Sequence, residues 1–246
     1  MIGRILLVLA MLAVWLIVLM PLKAVAIAAG GAAQLGYDDV FGTVWNGRVY
    51  GLRIGGERVR ETAVSVSPLA LLTGRVAADW RVADSGLSGD GHAIVAPGRV
   101  QLENVSLTVP LGRLAETGRT GLDPRAPVFV RIAQLGLTDG RCESATGSAR
   151  SDALAALAAP YNIDAPALDG MLACDGDDLE LVFSGESADM TVEGSARLRP
   201  EGYDWQVSVD TVRPELAEAL ALGGFEAEAE GERWQAQGRG VYGANR

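Results

Sequence analysis

Residues 190–212, MTVEGSARLRPEGYDWQVSVDTV, decide how the rest of the chain is read. Apolar or small side chains alternate with polar ones from Met190 to Leu198 and again from Tyr203 to Val212, with proline and glycine between the two runs. A period of two sends successive side chains to opposite faces of a pleated strand, so each run reads as a strand with one buried face.

Working outward, the same signature recurs at Val44–Ile54, Arg58–Val66, Arg75–Val82, His92–Val95, Arg99–Val109, Val128–Leu137, Leu179–Phe183 and Arg233–Tyr242. Short runs bounded by glycine predict a mainly β chain, an antiparallel, twisted or curved sheet. Two short helices interrupt it. Ser151 can cap one from Asp152 to Ala159, stopped by Pro160, and Pro214 can open another through Leu222, stopped by Gly223 and Gly224. Both would cover one face of the sheet.

An internal repeat emerges when Gly91–Pro97 (GHAIVAP) is laid over Gly194–Pro200 (GSARLRP), with glycine, alanine and proline matching at an offset of 103 residues. Each copy continues into a strand, then a proline (Pro110, Pro214) and a leucine-bearing segment. Such a unit cannot bury its apolar face alone, which predicts two similar β-rich units packed together. The expected organisation is an anchor and linker over 1–35, a first β-rich unit over 36–125 and a second, with both cysteines, over 126–246.

Ile5 to Leu22 is a run of 18 residues without a charge, set between Arg4 and Lys23. That meets the length of a transmembrane helix, with Ile5, Leu9, Trp15, Leu19 and Leu22 along it. Small residues at Ala24, Ala26 and Ala28 leave a cleaved signal peptide as the alternative. Arg4 and the terminal amine favour a short cytoplasmic tip, which sends the remainder across the membrane and out of the cytoplasm.

The composition, 49% hydrophobic and 21% charged, is that of a globular domain. A net charge of −10 has its whole excess in the last third, where residues 175–246 carry 16 acids against 6 bases. Nucleic-acid binding needs clustered cations, so it is not expected. Cys142 and Cys174 fall in the part facing an oxidising compartment, which makes a disulfide their expected fate. Two cysteines and one distant histidine, His92, do not supply the ligands of a zinc site.

No catalytic constellation stands out. His92 lies inside a predicted strand, and no serine sits in a G-x-S-x-G elbow. Asp175, Asp177, Asp178 and Glu186 resemble a calcium loop on paper, but Leu179 and Glu180 break the pattern, and Asp175-Gly176 reads as a hairpin turn. Gly30, Gly31 and Gly36 neither follow a strand nor open a nucleotide-binding unit. Trp45, Trp80, Trp205 and Trp234 lie in predicted strands and are read for the most part as core, otherwise as interface anchors. No enzyme, cofactor or metal is expected.

One family resemblance is carried by residues in order along the chain: the N-terminal hydrophobic segment, Gly42-Thr43-Val44-Trp45-Asn46-Gly47, then Ser67-Pro68-Leu69-Ala70-Leu71-Leu72-Thr73-Gly74, the spaced cysteines, and Gly194–Trp205. Together they resemble the type II secretion system protein N family of Gram-negative bacteria. The resemblance implies a noncatalytic, single-pass inner-membrane protein with a periplasmic domain. Its partners would be other proteins of the apparatus that exports folded proteins across the outer membrane. A fainter similarity to AsmA-like proteins gives the alternative, a β-rich groove that holds or transfers lipid.

Overall fold

The computed structural model describes residues 21–23, 36–54, 57–68, 70, 73–84, 86–113, 122–211, 213–228 and 233–241. Among them no helix is long and apolar enough to cross a membrane. The expected anchor residues Ile5, Leu9, Trp15 and Leu19 lie outside the described residues. Leu22 is described: it is buried over the bare backbone of Gly47, and neighbouring Pro21 bridges Thr43.

The chain divides into two compact units, Met1–Asp84 and Ser85–Arg246. In the first, β1 (Asp39–Thr43), β2 (Asn46–Ile54), β3 (Glu57–Val66) and β4 (Val76–Ala83) form an antiparallel meander. Val40, Val44, Val59 and Ala77 supply its small core.

In the second unit the strands are β5 (Ser88–Ala96), β6 (Arg99–Pro110), β7 (Pro127–Thr138), β8 (Arg141–Ser151), β9 (Leu168–Asp175), β10 (Asp178–Glu186), β11 (Met190–Leu198), β12 (Gly202–Thr211), β13 (Glu226–Ala227) and β14 (Arg233–Val241). Each pairs antiparallel with its chain neighbours, except that β14 inserts between β12 and β13. The boundary expected near residue 125 falls in the connection between β6 and β7, which pair from Arg99↔Thr138 to Pro110↔Pro127. Both copies of the repeat therefore lie in this one unit. They form the hairpins β5–β6 and β11–β12, but a helix of nine residues follows the second copy where a 3-10 turn, Leu111–Arg113, follows the first.

Register keeps like with like. Val105 faces Ile132, Leu107 faces Val130, Leu181 faces Ala196 and Val192 faces Val209, whereas Arg131 faces Ser148 and Glu193 faces Ser208. One face of the second sheet is thus mainly apolar and the other mainly polar, with Phe129, Met171 and Val182 exposed on the polar side. Helix α1 (Ala153–Ala158) and helix α2 (Pro214–Leu222) cover part of the apolar face. There Met190, Val192 and Val209 meet Ala158, Leu154, Leu216 and Leu220. Burying an aliphatic side chain of this size stabilises by roughly 1.5–3 kcal/mol.

The second helix starts where expected, and the first starts one residue later than expected, at Ala153, with Asp152 rather than Ser151 at its N-cap. The Ser151 hydroxyl accepts the Ala153 N–H at 3.3 Å, and Pro214 opens α2, which ends at Leu222 before Gly223. Pro160 does not halt the chain at once. It is absorbed into a 3-10 turn, Ala159–Tyr161, at whose start a missing N–H costs nothing.

Glycines on the apolar face make room for rings from the next strand. Phe183 lies over Gly194, and the Trp205 indole lies over Gly238, where a Cβ would approach it to 2.7 Å. A Cβ at Gly194 would also meet the Gln206 carbonyl at 2.8 Å, so neither ring nor backbone can yield cheaply. Gly194→Val is expected to cost about 1–3 kcal/mol by overpacking. A lowered urea midpoint with an unchanged slope would report it.

Candidate functional site

Four of the charges on the polar face of the second unit line up in one row. Glu180 of β10 faces Arg197 of β11, Arg197 faces Asp204 of β12, and Asp204 faces Arg239 of β14. The signs alternate strand by strand. Around the row lies a concavity of about 530 Å³, to which Ser195, Gln206 and Gln237 add polar walls.

Ion pairs hold the row in place. Arg197 pairs with Glu180 at 3.2 Å and with Asp175, while Arg199 pairs with Asp178 at 3.0 Å and with Asp204. The Arg199 guanidinium is held above its ordinary range, first by its hydrogen bond to Asp178. These groups are partly exposed, so water screens each pair and it adds little to stability. Chemically the row offers fixed, compensated charges that can recognise another charged or polar surface.

The sequence-predicted sites disperse across the fold. Asp175 and Asp178 face each other across a two-residue turn, with Gly176 at φ 60°, the hairpin expected there. Their carboxylates serve Arg197 and Arg199. His92 sits in β5 opposite Glu103, beside a register shift. No group of three or more His, Cys, Asp or Glu among the described residues is placed to hold a metal. Trp80 and Trp234 are half-buried in strands β4 and β14, whereas Trp45, expected in a strand, is half-buried in the turn between β1 and β2. Trp205 departs from the expectation of core: it is 37% exposed, and among the described residues the helices pack on another part of its face.

Cys142 and Cys174 are joined by a disulfide, with Cα atoms 5.6 Å apart. Its place in the sheet has a reason. β8 and β9 pair only from Ser151↔Leu168 to Gly147↔Leu172, and beyond that the Cys142 N–H donates to the Asp177 carbonyl at 2.8 Å. The bond thus fastens the end of a ladder that stops early. It closes a loop of 32 residues around α1, which removes about 3–4 kcal/mol of unfolded-chain freedom in the loop-entropy model.

Sequence reasoning missed a second fastening. Asp189 accepts the Asp164 N–H at 2.7 Å and an Arg213 N–H at 2.9 Å, and Asp164 in turn accepts the Ala188 N–H at 3.1 Å. Two N–H groups from different connections thus meet on the Asp189 carboxylate, and a third bond returns to Asp164. Ser187-Ala188-Asp189, a polar turn between two strands, is the signal that could have pointed to it.

A family model described as type II secretion system (T2SS), protein N, matches residues 33–234. The chain belongs to the type II secretion system protein N family. No curated protein and no solved structure matches it. In this type II secretion system component the match takes in β1 to β13 and ends within β14, at Trp234. The Gly42–Gly47 motif forms the β1–β2 hairpin, with Gly42 at φ 88° and Val44 buried.

Two predictions follow from the fastenings. Native protein purified under oxidising conditions should show no reactive thiol, and Cys142→Ser should lose about 3–4 kcal/mol in denaturant and expose one thiol at Cys174. The bond to the Asp164 N–H, followed by the Arg213 contacts, holds the Asp189 carboxyl below its ordinary range. A carboxyl depressed in the folded state gives stability that is present above the unfolded value of about 4 and lost as pH falls through the lower folded value. The protection factor of the Asp164 amide, measured against the intrinsic rate at the same pH, should therefore fall in acid, and should be low already at neutral pH in Asp189→Asn.

Proposed function

We propose that this chain is a noncatalytic, single-pass component of the type II secretion system, anchored in the inner membrane by the uncharged N-terminal run that begins at Ile5, with its β-rich domain in the periplasm, where it assists assembly of the apparatus. The family match over residues 33–234 carries the reading. Three features support it: the uncharged N-terminal run, a disulfide suited to an oxidising compartment, and a polar sheet face built for contact rather than chemistry. Tethering would hold the domain at high effective concentration beside other membrane-held components of the machine.

One observation favours a second reading, a lipid-holding groove of the AsmA-like kind. Away from α1 and α2, the apolar face carries Val95, Val100 and Trp205 at 36–45% exposure, a surface that suits an acyl chain. Mass spectrometry of gently extracted protein distinguishes the two. A stoichiometric lipid supports the groove, and its absence removes it.

The leading reading predicts that deletion lowers export of folded proteins and that the tagged chain copurifies with apparatus components. A periplasm-dependent reporter fused after Arg246 should be active. Export and assembly that continue unchanged without the chain would refute the reading, as would a reporter active only in the cytoplasm.

A further inference from the structure

We propose that the outer edge of β14 is a docking site for an extended acidic segment of another secretion component, which adds to the sheet as a further strand with a carboxylate opposite Arg239. The proposal rests on the reading that this domain works by contacting other proteins of the apparatus, and it names the surface.

The first observation concerns the backbone. β13 has two residues and pairs with β14 only at Glu226↔Gln235 and Ala227↔Trp234. The Glu228 N–H donates to the Arg233 carbonyl at 2.9 Å, which sets the parity of the strand. From Arg233 onward, every second residue points its N–H and C=O away from β12. Gln237 and Arg239 therefore present ladder groups on the outer side, and no described strand takes them. An edge of this kind is a template for strand addition.

The second observation concerns charge. The row Glu180, Arg197, Asp204, Arg239 alternates in sign and arrives at the edge on a cation. Asp204, which faces Arg239, is engaged by Arg199, and among the described residues Arg239 forms no ion pair. The next position outward is one for an acid. A second copy of this chain fits poorly, because pairing two such short edges sets Arg239 beside Arg239, and like charges across neighbouring strands destabilise.

The test places a photo-crosslinking amino acid at Gln237 of the full-length chain, in cells that carry the apparatus. The expected product joins one apparatus component through a peptide that contains Asp or Glu. Its yield should fall roughly fivefold in Arg239→Gln, the upper range for a cross-strand charge pair, and further in Arg239→Glu. Reversing the partner's acid to arginine should restore it against Arg239→Glu. The proposal is overturned by a yield insensitive to both Arg239 variants, by crosslinks to a second copy alone, or by no crosslink where the folded chain is present and export requires it. Export and assembly unchanged by deletion would instead remove the functional reading, and this proposal with it.

Discussion

Cross-strand pairs in the second unit repeatedly join residues of the same character, Val105 with Ile132 and Val192 with Val209 on one side, Glu180 with Arg197 on the other. The rest of the structure depends on this sorting by the antiparallel ladder. Because the side-chain period is two, a slip of one residue at any pairing would carry a whole apolar set to the polar face and bury arginines beneath α1 and α2. The helices, the glycine–ring contacts and the charge row all presuppose that the register holds.

Register is specified least where side chains are smallest, and there the fold adds other fastenings. The apolar-facing positions of β8 include Ala145, Gly147 and Ala149, and its pairing with β7 shifts register between Ile132 and Gln134 and between Gly136 and Leu137. Packing alone would hold such a strand weakly. The Cys142–Cys174 bond pins it to β9, and the Asp189 carboxylate ties the following connection to the start of α2. On the polar face, one row of four charges compensates itself until it reaches the edge strand.

Much of this was legible in the chain. Met190–Leu198 is β11 and Pro214–Leu222 is α2, residue for residue, because alternation in the one and a proline start with a glycine stop in the other are local signals. What escaped were β1, β8, β9 and β13. β8, RCESATGSARS, has no large apolar residue, since Gly147 must lie close to the β7 backbone, where a Cβ would meet the Arg131 carbonyl at 2.7 Å. Its one local clue is the Asp139-Gly140 turn, both residues at positive φ. The charge row was invisible for a different reason. Its four members are spread over 60 residues and meet only through the register of three strand pairs. Trp205 misled because alternation tells which face a side chain takes and not whether a second layer covers it.

The two-faced ladder is tested most directly by single-cysteine variants at Val128, Phe129, Val130, Arg131 and Ile132 in β7, with the native disulfide left intact and the rate of thiol modification measured on folded protein. Phe129 is 45% exposed and Val128 8%. The account predicts fast modification at Phe129 and Arg131 and slow modification at Val128, Val130 and Ile132. Uniform rates, or protection recurring every three to four residues, would contradict it.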